Sequence, residues 1–208
     1  LAAVVADAEP AGELHNLRGA LQLEGALELA LGEPGRAIEP LRRARLIAEE
    51  SNVGVLSLLV SALDEVEALV ATDDLAAAAG VLAWFERQAG SGVVWVDPLV
   101  GRARAAIEAA DGDLEAAVRT LERVVAAEDR VPLPLERARS RLLLGRLLRR
   151  TQQRTAARAM LTDALERFDA LGAALWADRA KEELARIGGR APSSDTSISS
   201  PGRVLPNT

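Results

Sequence analysis

Three groups of side chains in this chain have the types and spacing to do chemistry. Asp64, Glu65 and Glu67, followed by Asp73 and Asp74, could pair carboxylates for acid–base work or gather around a metal. Asp111-Gly112-Asp113-Leu114-Glu115 opens like a calcium loop. Arg137, Arg139, Arg141, Arg146, Arg149, Arg150 and Arg154 form a basic block that could neutralise phosphates.

Each group also has a plainer reading. A calcium loop needs further oxygen ligands at set positions and a closing bidentate glutamate within about 12 residues, whereas this run passes straight into a helical pattern, so helix capping is the better account. Asp64, Glu65 and Glu67 fall on a predicted solvent face, and Asp73-Asp74 at a predicted helix start. The arginine block reads as a solvated face or an intramolecular docking surface, because no helix-turn-helix follows it and aromatics for base stacking are missing.

Absences narrow the chemistry further. With no cysteine in 208 residues, disulfides, thiolate metal sites and cysteine nucleophiles are excluded. His15 is the single histidine, so a multi-histidine site is excluded, and it reads as a surface or cap residue. Lys181 is the single lysine and has no glycine loop before it, so the chain holds no Walker A cradle. No catalytic, cofactor-binding or metal-binding residue is assigned, and no enzyme activity is expected. Trp84, Trp95 and Trp176 are the large apolar anchors, read as core packing ahead of ligand contact.

The elements that carry these residues are helical. Hydrophobic residues make up 49% of the chain and charged residues 27%, with aromatics at only 2%, a composition that suits helices and not a β-sandwich. Punctuation predicts nine helices: Glu13–Leu31, Pro34 to Glu50, Val55–Ala71, one after Thr72-Asp73-Asp74 to Ala89, one N-capped by Asp97 to Ala110, one after Asp113, then Leu135–Arg150, Thr155–Leu171 and Ala173–Ile187.

An internal repeat organises them. Ala37, Ala78, Ala117 and Ala157 recur at intervals of 41, 39 and 40 residues, each followed four positions later by Leu41, Leu82, Leu121 and Leu161. Twelve residues before each alanine stand Gly25, Val66, Ala105 and Gly145, three of them small, as a close helix crossing requires. The expected fold is therefore an all-α, right-handed superhelix of about four tetratricopeptide-like hairpins plus a final helix, spanning residues 1–189. Residues 190–208 are serine-rich with little apolar matter and are expected to form a disordered linker or tail.

Charge is uneven along the array. Residues 1–129 carry 10 Lys/Arg against 23 Asp/Glu, and residues 130–190 carry 14 against 7. No stretch approaches the roughly 18–20 apolar residues of a membrane span, and the N-terminus lacks the basic region of a signal peptide, so a cytoplasmic protein without membrane contact is expected. Leu1 in place of an initiator methionine suggests a segment of something longer.

The stretch Arg137–Arg190, with its landmarks Phe168, Leu171-Gly172-Ala173, Trp176-Ala177 and Gly188-Gly189, resembles the last repeats of large ATP-binding LuxR-type (STAND/AAA, maltotriose-activator-like) transcriptional regulators. In that family a P-loop module precedes the helical array and a DNA-binding helix-turn-helix follows it. Neither is present here, so no ATP- or DNA-contacting residue carries over. The resemblance implies a sensor or protein-interaction domain that binds a small-molecule effector or protein partner, with no direct nucleic-acid binding by this chain. A freestanding adaptor gripping a peptide in its concave groove is the alternative.

Overall fold

The computed structural model describes residues 14–50, 55–89, 96–127 and 131–188, with the backbone alone for 55–60. Among the described residues the chain forms nine helices and no strand: α1 (Leu14–Leu31), α2 (Pro34–Glu50), α3 (Val55–Ala71), α4 (Leu75–Ala89), α5 (Val96–Ala110), α6 (Leu114–Ala126), α7 (Pro134–Arg150), α8 (Arg154–Ala170) and α9 (Ala174–Gly188). The expected boundaries hold to within about one residue. Asp97 is the exception in role: the helix starts at Val96, so Asp97 sits in its first turn, where a carboxylate still complements the helix dipole. Trp95 and the tail 190–208 lie outside the described residues.

The repeat is a packing rule. All four alanines have no exposed surface, and Leu41, Leu121 and Leu161 are equally buried, with Leu82 at 6%. Their partners on the facing helix explain the spacing. A Cβ added at Gly25 would stand 2.7 Å from Leu41 Cδ2, and one at Gly145 would stand 2.6 Å from Leu161 Cγ. The leucine of the second helix thus fills the place a side chain would take on the first, which lets the two backbones approach.

A second repeated element makes the turns. Gly32, Asp73, Gly112, Gln152 and Gly172 all have positive φ, between 63° and 101°. Each stands five residues before a buried alanine, Ala37, Ala78, Ala117, Ala157 and Ala177. The residue after each donates its backbone N–H five positions back, in the bonds Glu33 to Glu28, Asp74 to Leu69, Asp113 to Glu108, Gln153 to Leu148 and Ala173 to Phe168, all between 2.8 and 3.0 Å. These are Schellman-type helix ends, which satisfy carbonyls that would otherwise lack partners. The α8–α9 turn follows the same rule, so the final helix starts as if it opened another half-unit.

Between hairpins the core is distributed. One apolar cluster joins α3, α4 and α5, another α5, α6, α7 and α8, and a third α7, α8 and α9 with Phe168 and Trp176 at ring centroids 6.1 Å apart. Ala30 of α1 packs against that last cluster, and α1 touches α9, so the array curls until its two ends meet. Stability is then spread over neighbouring interfaces in the manner of a solenoid. No helix of the described residues is long and apolar enough to cross a membrane.

Candidate functional site

The curl encloses a cavity of about 480 Å³. Its lining comes from the end of α1 and from α3, α5, α7 and α9, the first helix of each pair and the final helix, while the second helices contribute only Pro34. The floor is apolar, with Leu29, Leu63, Val70, Leu142, Leu147 and Trp176. Seven arginines and two glutamates also line it.

Two charged clusters stand out. In the first, Arg139 of α7 joins three carboxylates: its Nη2 lies 2.7 Å from Asp64 Oδ1 and 2.6 Å from Glu67 Oε2, and its Nη1 donates to Glu136 Oε1 at 3.0 Å. Arg102 of α5 also pairs with Glu136 and donates to its backbone carbonyl at 3.3 Å. Asp64 is buried, with Arg139 as its cationic neighbour. Burial accordingly pushes the Asp64 carboxyl up to about 6, against the pull of Arg139 and with the charges of Glu136 and Glu67 adding to the rise. For Glu136 burial also acts upward, but Arg102 and Arg139 outweigh it and hold the carboxyl at about 2.

In the second cluster three arginines meet one carboxylate. Glu183 of α9, only 2% exposed, accepts from Arg146 Nε at 3.1 Å and Arg149 Nε at 2.9 Å, and Arg186 pairs with it from the same helix. Trp176 links the clusters: Arg139 stacks over its ring at 4.6 Å and Arg179 at 4.8 Å from the centroid. The Arg179 guanidinium has its pKa lowered by burial, with Glu67 opposing and Arg146 and Arg139 reinforcing the shift.

These positions correct two sequence expectations. Asp64 and Glu65 do not lie on a solvent face; they are 1% and 2% exposed. The reason is that α3 packs against α1, α2, α4 and α5, which covers most of its described surface. Glu65 finds Arg45 Nε at 2.6 Å, and Arg45 in turn lies over Trp84, whose Nε1 donates to Glu49 at 2.9 Å. The arginine block is likewise no single solvated face. Helix α7 is surrounded by α5, α6, α8 and α9, which buries Arg139 and Arg141 and obliges them to pair, the latter with Asp163. Arg146, Arg149 and Arg150 line the cavity, and Arg154 is exposed at the start of α8.

The remaining candidates take structural roles. Asp113 caps α6 by accepting from Ala116 N at 2.9 Å, and Asp74 accepts from Ala77 N at 3.1 Å. His15 is exposed in the first turn of α1. Sequence reasoning missed Arg102, Glu136, Arg179 and Glu183. For Glu136 and Glu183 the signal was faint but present, since Glu136/Arg139 and Glu183/Arg186 are charged pairs three residues apart on one helix face; Arg102 had no such signal. Compared with known proteins, the chain matches no family model and no curated sequence.

Proposed function

We propose that this chain is the effector-binding sensor domain of a larger bacterial LuxR-type transcriptional regulator, with nucleotide-binding and DNA-binding modules outside it. The observation that carries the reading is the cavity, lined by the first helix of every hairpin and closed by the contact of α9 with α1. A ligand held there touches helices from both ends of the array, so its binding energy acts on the pitch of the whole superhelix and can favour one arrangement over another. The resemblance of Arg137–Arg190 supplies the regulator context.

Two measurements test this. The reading frame on both sides of the chain is expected to encode an upstream P-loop module and a downstream helix-turn-helix, and the absence of both would refute the regulator context. A small-molecule screen by thermal unfolding is expected to find a stabilising ligand, as binding to the folded state alone requires. The adaptor reading is favoured by Leu23, Leu27 and Leu31, which stand one turn apart on α1 at 42–61% exposure. A peptide bound in the groove, with no small molecule stabilising the chain, would decide for it.

A further inference from the structure

We propose that the cavity is a site for a small organic anion, a molecule with a phosphate or carboxylate head on an apolar body. This deepens the effector-binding reading and rests on it. A volume of about 480 Å³ suits a metabolite-sized ligand.

Charge selects the class. Glu183 is met by three arginines, Arg146, Arg149 and Arg186, of which only Arg186 has a second carboxylate among the described residues, Glu182 at 3.7 Å. Arg146 and Arg149 reach Glu183 through Nε, so their Nη groups have no partner among the described residues. Arg179 lines the same cavity against Trp176 and pairs with no carboxylate among the described residues. A guanidinium held by its Nε keeps its two Nη donors as a fork that matches the oxygens of a phosphate or carboxylate. The buried Glu183 thus acts as a backstop, orienting two guanidiniums, and with Glu182 beside Arg186 the group keeps one cationic charge in excess.

Like charges crowded around a semi-enclosed space repel one another, and an anion relieves that repulsion. The apolar part of the ligand is selected by the floor, where Leu142, Leu147 and the Trp176 ring lie beside the arginines.

Calorimetric titration of the 208-residue chain at low ionic strength tests this with three probes: phenyl phosphate, inorganic phosphate, and benzyl alcohol. Phenyl phosphate is expected to bind at least tenfold more tightly than either of the others, and more weakly as salt rises. Arg179→Gln is expected to weaken phenyl phosphate at least tenfold with little change in thermal stability, because it strands no carboxylate. The Arg146→Gln/Arg149→Gln double variant should weaken it further. Should that variant unfold through the stranded Glu183, Arg179→Gln alone decides.

Benzyl alcohol binding as well as phenyl phosphate, or unaltered phenyl phosphate affinity in Arg179→Gln, would overturn the anion assignment. A neutral small molecule that stabilises the chain where the anions do not would overturn it while leaving the sensor reading intact. Binding of a glutamate-rich peptide in place of any small molecule would overturn both.

Discussion

The two helices of a hairpin both build their contact from alanine and leucine, yet they differ in what they do with charge. Outer helices such as α6 and α8 show a plain apolar stripe, Ala117, Val118, Leu121 and Val124 in one, Ala157, Leu161, Ala164 and Phe168 in the other, with charges turned outward. Inner helices α3 and α7 are packed on nearly all sides, and they carry Asp64, Glu65, Glu136, Arg139 and Arg141 into the interior. A helix with one free face can put its charges in water. A helix without one must pair them, and pairing at a shared cavity concentrates them into a site.

The largest expected effect follows from that difference. Arg139→Ala leaves Asp64 and Glu136 buried with too little positive charge, and breaking a buried pair in this way costs about 3–5 kcal/mol. Arg154→Ala, on an exposed outer position with no ion pair to a described residue, should stay within about 0.5 kcal/mol of the parent. Urea unfolding of both variants measures the contrast. Equal stabilities would mean that inner and outer arginines do not differ in kind.

Next in size is a pH dependence confined to the inner cluster. Asp64 is raised from 3.8 to about 6, so the folded chain binds its proton more tightly than the unfolded chain does. Its contribution to stability therefore falls as pH climbs from near 3.8 to about 6. Glu136 runs the opposite way: held at about 2 against an ordinary 4.5, it stabilises above pH 4.5 and loses that contribution as pH drops toward 2. Between pH 4.5 and 6.5 the parent should lose stability relative to Asp64→Asn by at most about 2 kcal/mol, the part of the shift that falls in that window. Parallel stability curves for the two proteins would remove Asp64 as the titrating group.

Close packing between the two layers gives a third test. Gly145→Ala places a methyl 2.6 Å from Leu161 Cγ and 3.3 Å from its backbone nitrogen, an overpacking cost of about 1–3 kcal/mol set against about 1 kcal/mol of better helix propensity. Gly80→Ala, in α4 with nothing within 4 Å, keeps the propensity gain and meets no obstacle. The first should lower the unfolding midpoint and the second raise it. A rise in both would show that Leu161 yields readily and that the small partner residue is not what sets the crossing.

How much of this was legible follows from what repeats. Ala37, Ala78, Ala117 and Ala157 recur because every hairpin solves the same crossing, so one spacing exposed the repeat, while Gly, Pro and Asp punctuation gave the helix ends. Charged residues of the cavity and its flanking cluster do not recur: Arg102 stands on α5, Glu136 on α7, and Arg179 and Glu183 on α9, and they meet only because the array curls through four hairpins. Placing Asp64 and Glu65 in solvent failed for the same reason, since a stripe seen on one helix cannot reveal neighbours on its other sides. The asymmetric basic block from residue 130 onward was readable as a number, but its division into buried ties, cavity lining and exposed Arg154 depended on α7 being central.

The smallest effect belongs to the turns, where inner helix gives way to outer. Of the turn residues with positive φ that end the inner helices, Gly32 and Gly112 adopt it freely, whereas Gln152 does so at φ 63° against the steric preference of its Cβ. Relief of that strain is worth about 1–2 kcal/mol, and glycine's extra freedom in the unfolded chain returns about 0.4–1 kcal/mol. Gln152→Gly should therefore stabilise the protein by roughly 0.5–1 kcal/mol, while Gly112→Ala, forced to φ 101°, should destabilise it by about the same amount once the smaller freedom of alanine in the unfolded chain is set against the strain. If the two substitutions moved the urea midpoint in the same direction, the five turns would not be one structural device, and the repeat would reside in the alanine–leucine crossings alone.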